Sequence, residues 1–212
     1  MTASGAVVCG GRDIPVCHRA GGGAASRLEG GAVEYASGIA TRTRRIVVAA
    51  RAVAPDIAVA CTRKNFPGAK ENSVRAVTAG GACMHRLGLS ETLLVFPEHR
   101  VFLNKDDAGW VRRLKRHNPE RKLVVEVASV EEALDLTAAG VDVIQLEKLS
   151  PDQVAAVVTG TADRPAPPVI IAAGGIDETN AAAYAATGCS VLVTSAPYFA
   201  PPCDVKVTLA IP

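Results

Sequence analysis

Four apolar runs, KLVVEV (122–127), VDVIQLE (141–147), PVIIAAGG (168–175) and SVLVTSA (190–196), are separated by alanine- and glutamate-rich segments. They recur at intervals of about 20 residues, the length of one strand-plus-helix step. Parallel strands need a long crossover between them, usually a helix, so this alternation leaves few folds open. The runs are apolar almost throughout, as strands are when helices cover the sheet. The segments between them are punctuated as helices: Ser129 and Asp177 stand where N-caps belong, and Gly140 and Gly188 follow the other ends. Two earlier runs, DIAVACT (56–62) and TLLVF (92–96), fit the same series. The pattern predicts an α/β chain with a largely parallel sheet, most economically a barrel or partial barrel.

Composition narrows the classes further. With 212 residues, 49% hydrophobic and 21% charged, the chain is long enough for one substantial core and reads as globular. A formal net charge of +2 and 4% aromatic residues argue against a nucleic-acid-binding surface. No apolar run approaches the roughly 20 residues of a membrane span, and the N-terminus lacks the pattern of a signal peptide. Six scattered cysteines without a C-x-x-C pair point to reduced thiols and a cytoplasmic location. The four histidines show no zinc spacing.

Residues 1–30 differ from the rest. Their Gly/Ala-rich stretch HRAGGGAASRLEGG shows neither helical nor strand periodicity, so it reads as a flexible tail or a poorly ordered helix. The main domain is expected over 31–212. It opens on a helix broken near Ser37-Gly38, resuming through Arg45 and Arg51, and stopped by Pro55.

Ligands of α/β barrels bind at the carboxyl ends of the strands. Arg63 and Lys64 end the first run, Glu126 falls inside VVEV, and Glu147 ends IQLE. Gly174 and Gly175 follow IIAA, and Thr194 and Ser195 end VLVTS. Charges at strand ends can simply be solvated. Glu126 is harder to dismiss, because an ionised carboxylate in an apolar strand is costly unless paired or ligated. An internal salt bridge to Arg63 or Arg86 is the bland alternative. Gly-Gly before Asp177 fits either turn geometry or a phosphate cradle. The His85-Arg86 pair lies in a mostly apolar segment and is read as functional rather than as surface decoration.

These stretches, together with SGIAT (37–41), TRKNFPG (62–68), AVTAGGACMHRLGLSE (76–91), VEVASVEEA (125–133) and YAATGCSVLVTSAPY (184–198), resemble the nicotinate-nucleotide pyrophosphorylase (quinolinate phosphoribosyltransferase) family. They occur in family order over about residues 31–212. EYASGIATRTRR and VFPEHRVFL are most similar to its ModD branch, associated with molybdenum transport. The resemblance implies a partial α/β barrel of the type II phosphoribosyltransferase kind, with the N-terminal sandwich domain largely missing from this chain. It implies transfer of phosphoribosyl from phosphoribosyl diphosphate (PRPP) to an aromatic carboxylate such as quinolinate, in pyridine nucleotide and NAD biosynthesis. Magnesium would accompany PRPP, and the protein would be a homodimer. By this resemblance Arg63 and Arg86 hold the acid's carboxylate and His85 lines the same pocket. Lys64 reaches phosphate or pyrophosphate, Glu126 and Glu147 face the ribose and magnesium, and Gly174, Gly175 and Ser195 receive the 5′-phosphate. Arg27 takes the place of an arginine that reaches across the dimer.

Three departures stand out. Phe96 replaces a lysine of the quinolinate enzymes, Glu147 replaces an aspartate, and Ala173 replaces a serine before the paired glycines. Loss of the lysine weakens the case for a dicarboxylate substrate. The alternative reading is a non-catalytic anion- or phosphate-binding barrel in molybdate handling. Only the transferase needs Glu126 and Glu147 around a sugar.

Overall fold

Every apolar run singled out above forms a strand in the computed structural model, which describes residues 4–9, 12–17, 25–88, 91–103 and 109–205. The main sheet contains β3 (Ala58–Cys61), β4 (Cys83–Met84), β5 (Leu93–Val95), β6 (Leu123–Val127), β7 (Val143–Glu147), β8 (Val169–Ala173) and β9 (Val191–Thr194). A separate antiparallel pair, β1 (Ser4–Cys9) and β2 (Arg12–Cys17), precedes it.

All neighbours in the seven-stranded sheet are parallel, in the order β4-β3-β9-β8-β7-β6-β5. Read as a circle, this is chain order, because the first and last full strands, β3 and β9, are paired. Among the described residues, the one consecutive pair within this sheet that shares no ladder is β4 and β5. The sheet therefore curls into a barrel with one open seam, and the partial α/β barrel is the fold of this chain.

Side chains alternate between the two faces of each strand. One set, Leu123, Val125, Val127, Ile144, Leu146 and Leu192, packs beneath the helices in the larger core cluster. The other set, Ala60, Val124, Val143, Ile171, Ala173 and Val193, forms a second, smaller cluster inside the barrel. Burial on both faces is why the runs read as continuously apolar.

The helices are α1 (Ala25–Arg51), α2 (Lys70–Ala79), α3 (Pro97–Arg100), α4 (Trp110–His117), α5 (Val130–Ala138), α6 (Pro151–Ala162) and α7 (Ala181–Ala185). Ser129 caps α5 by accepting from the Glu132 amide at 3.2 Å, as its position predicts. Ser150 and Gln153 cap α6 reciprocally, with Pro151 at the first helical position. α7 begins later than expected. Asp177 does not cap it; instead its Oδ1 accepts from the Thr179 amide at 2.8 Å and hydroxyl at 2.6 Å, and Asn180 precedes the helix. A short aspartate side chain closing such a local turn competes with helix initiation.

Two readings of the front of the chain need correction. The β1–β2 pair, which went unread, lies ahead of the Gly/Ala-rich stretch, and within that stretch the helix alternative holds from Ala25, where α1 starts and crosses position 31 without interruption. Nor does α1 break at Ser37-Gly38. Gly38 is there for proximity: a Cβ at this position would fall on the Pro201 carbonyl oxygen. Residues 201–205 lie along α1, and the Cys203 amide donates to the Glu34 carbonyl at 3.0 Å.

Candidate functional site

The inner face of the barrel changes character along its strands. Towards the amino ends it is Val124, Val143 and Ile171. Two residues further on it becomes Glu126 and Gln145, and Glu147 follows two residues after Gln145. Glu126 and Gln145 are register partners on neighbouring strands, so they share a face. Gln145 Nε2 donates to Glu126 Oε2 at 2.6 Å. Gln145 is buried, and its Oε1 has no partner.

These residues border a cavity of about 620 Å³ at the carboxyl ends of the strands. Glu126, Glu147, Arg63, Lys64, His85, Arg86, Gly174, Gly175 and Ser195 all line it, together with Phe96. Arg27 lies in the first turn of α1, and its side chain falls outside the described residues.

The wall made by β3, β4 and the turns after them is cationic. The β3–β4 pairing is prolonged by the His85 amide, which donates to the Cys61 carbonyl at 2.8 Å, and this carries His85 and Arg86 to the mouth. Arg86 is only 8% exposed. One of its nitrogens donates to the Thr92 carbonyl at 3.3 Å, and its Nε is buried without a partner. Burial, and then the nearby Arg63 charge, push its pKa down. Burial, and then Arg86, also hold His85 below the usual histidine range, so its ring is neutral at pH 7. Glu91 lends Arg86 a nearby negative charge, but among the described residues no carboxylate is bonded to it, and a buried guanidinium beside a second cation suits an anion.

The opposite wall is acidic. Burial raises the pKa of Glu126, and the neighbouring Glu147 raises it further. The bond from Gln145 works the other way. No ion pair joins Glu126 to Arg63 or Arg86 among the described residues, so the bland alternative for Glu126 fails. On balance its environment penalises the carboxylate, which the Gln145 bond and the Lys64 charge compensate only in part.

The third part of the rim is the turn after β8. Gly174 and Gly175 have φ of +86° and +73°, a region side-chain-bearing residues avoid. Gly174 has a second constraint: a Cβ there would lie 2.6 Å from Lys148 Cγ and 2.9 Å from Glu147 Oε1. The turn is fastened by Asn180 Nδ2 donating to the Gly175 carbonyl at 2.9 Å. Thr194 Oγ1 ties it to β9 by donating to the Ile176 carbonyl at 2.5 Å. Arg42 of α1, which sequence reasoning missed, bridges both loops. It is ion-paired with Glu178 at 2.9 Å and donates to the Ala196 carbonyl at 2.9 Å. Gln145 was also missed, although a lone amide in VIQLE is a visible interruption.

Two anion-suited regions flanking a pair of carboxylates can hold a charged acid on one side, a phosphate on the other, and a cationic centre between them. The fold and site define a partial α/β barrel whose cavity at the strand ends is lined by cations, two carboxylates and a glycine turn. Residues 39–208 match the family described as quinolinate phosphoribosyl transferase, C-terminal domain, and the chain belongs to that family.

Among its relatives, a putative pyrophosphorylase ModD of Rhodobacter capsulatus is 54% identical over 151 residues, 71% of this chain and 58% of that protein. A probable carboxylating nicotinate-nucleotide pyrophosphorylase of Methanothermobacter thermautotrophicus is 36% identical over 160 residues, 74% of this chain and 57% of that one. The crystal structure of NadC from Streptococcus pyogenes superposes with a TM-score of 0.74 at 26% identity, over 84% of this chain and 61% of that one. A nicotinate-nucleotide pyrophosphorylase of Ehrlichia chaffeensis, 21% identical with a TM-score of 0.75, shares the fold over 84% of this chain and 63% of its own. The chain thus spans roughly three fifths of the length of these proteins.

Proposed function

We propose that this barrel is the catalytic half of a phosphoribosyltransferase that joins PRPP to the ring nitrogen of an aromatic carboxylate, releasing pyrophosphate. The observation that carries the reading is Glu126 and Glu147 facing one cavity with Arg63, Lys64, Arg86 and the Gly174-Gly175 turn. A purely anion-binding barrel has no use for two carboxylates in its site; they lower its affinity. That disfavours the molybdate-handling alternative.

In this reading the turn at Gly174 and Gly175, with Ser195, receives the 5′-phosphate through backbone N–H groups. Arg63 and Arg86 clamp the acid's carboxylate, the geometry a guanidinium fork serves best. Neutral His85 lines the acid's pocket without adding charge. Lys64 reaches the pyrophosphate. As that group departs, positive charge grows at the anomeric carbon, and Glu126 and Glu147 stabilise it electrostatically.

Magnesium suits the residues present. Among the described residues no group of three or more His, Cys, Asp or Glu side chains could hold a metal by itself. Mg²⁺ is typically bound by one or two carboxylates together with substrate phosphates. Glu126 and Glu147 would supply the carboxylates, and the bound ion would offset the diphosphate charge. We assign the working protein to the cytoplasm as a homodimer.

Calorimetry with PRPP and magnesium, followed by pyridine carboxylates, tests the reading. Magnesium-dependent PRPP binding and pyrophosphate release with an aromatic acid are expected. Absence of PRPP binding would overturn it.

A further inference from the structure

The cavity's charges are segregated by strand. The cations Arg63, Lys64 and Arg86 follow β3 and β4, on one side of the open seam, and the fourth lining cation, Arg42 of α1, is ion-paired with Glu178. The arc of β5, β6 and β7 contributes Leu94, Phe96, Glu126, Gln145 and Glu147. It supplies no cation to the cavity among the described residues. Glu98, just beyond Phe96, adds to the negative field at Glu126. Arg100 is the nearest positive side chain after β5, and it is turned away. It pairs with Glu132 on α5 and donates to the Glu126 backbone carbonyl at 3.0 Å.

Resting on the phosphoribosyltransferase reading, we infer that the acceptor is an aromatic monocarboxylate, with no second anionic group beside the ring nitrogen, and that Phe96 enforces this choice. One carboxylate fixed by Arg63 and Arg86 turns the rest of the ring towards the β5–β7 arc, where the sugar's anomeric carbon must lie between the acids. A substituent next to the ring nitrogen therefore meets Phe96 and the carboxylates of Glu126 and Glu147. A second carboxylate there loses its hydration, gains no cation from this arc, finds Lys64, whose charge reaches Glu126, already engaged by the pyrophosphate, and is repelled by two like charges. A hydrogen atom or an uncharged group meets an aromatic ring. The reaction is then transfer alone. The ring nitrogen's lone pair forms the bond to the anomeric carbon, and the bond from that carbon to the pyrophosphate oxygen breaks. The pair leaves with pyrophosphate, and the product keeps its one carboxylate. No carbon dioxide is released.

The test uses the full chain with PRPP and magnesium, following pyrophosphate release with nicotinate (pyridine-3-carboxylate) and quinolinate (pyridine-2,3-dicarboxylate) in parallel. Nicotinate should be preferred at least about tenfold in kcat/KM, the scale of one charge-assisted contact. Phe96→Lys should shift the ratio towards quinolinate by a similar factor, with carbon dioxide appearing. Phe96→Leu, apolar and uncharged, should keep the preference for nicotinate. Equal or better use of quinolinate by the unmodified chain would overturn the inference and leave the phosphoribosyltransferase reading intact. If PRPP binds but neither acid reacts, the calorimetric affinities decide: tighter nicotinate supports the inference, and anything else overturns it. No PRPP binding would defeat the underlying reading and the inference with it.

Discussion

Gly174→Ala and Gly175→Ala form a matched pair. Both glycines have φ deep in the left-handed region, so both substitutions incur a backbone cost of about 1–2 kcal/mol. Only one of them collides. Nothing lies within 4 Å of a Cβ at Gly175, whereas a Cβ at Gly174 would meet Lys148 Cγ at 2.6 Å and Glu147 Oε1 at 2.9 Å. Relief requires those side chains to leave their rotamers, at roughly 0.5–1.5 kcal/mol. Urea denaturation should therefore show Gly175→Ala losing about 1–2 kcal/mol. Gly174→Ala should lose about 0.5–1.5 kcal/mol more. Adding Lys148→Ala, which deletes the nearest colliding atom, should recover part of that difference. Equal losses in the two single variants would refute the reasoning. They would mean that Glu147 yields freely and that Gly174 does not fix its position.

Glu126→Gln should stabilise the fold at neutral pH while abolishing turnover. Between the ordinary glutamate value of 4.5 and its raised native value, the native state keeps a proton that the unfolded chain has lost, so wild-type stability falls as pH rises through that window. The variant's advantage in Tm should open upward from about pH 4.5, and an advantage that shrinks over that range would contradict the assigned cause. Arg86→Met should weaken binding of an aromatic carboxylate by about 1.5–3 kcal/mol, measured by calorimetry, without lowering Tm. Lower Tm with unchanged affinity would make Arg86 a structural residue. Gly38→Ala, a change worth about 1 kcal/mol in favour of an ordinary helix, should instead destabilise the chain because of Pro201. Thermal melts and proteolysis of the 200–205 segment would show it; a stabilised variant would rule out the close approach.

What was legible in the sequence was whatever chemistry is local. Six strands could be read because each is apolar on both faces over at least three residues, and Ser129 caps α5 because a cap acts within three residues. β4 escaped notice because two residues carry no periodicity. Gly38 misled because a glycine's cost to a helix is visible locally, whereas the backbone it makes room for lies at Pro201. Arg42 was invisible for the same reason: its role depends on how α1 rotates against loops at Glu178 and Ala196. At the site, residue types at strand ends were readable from the βα alternation. The partition of charge was not, because it depends on β3 closing against β9 and leaving β4 and β5 apart.

That seam also bears on how such a protein changes by descent. Arg86 and Phe96 stand beyond strands that share no ladder hydrogen bonds, on opposite banks of the gap. In a closed barrel, altering one wall strains the next through continuous pairing. Here the two banks meet through side chains alone, the Arg86 guanidinium donating to the Thr92 carbonyl at the foot of β5, so a change of side chain on one bank reaches the other without passing through a ladder. If the proposed reading holds, a lineage can exchange side chains such as Phe96 at the end of β5, the last strand of the sheet, while the backbone pairing of the other six strands stays as inherited.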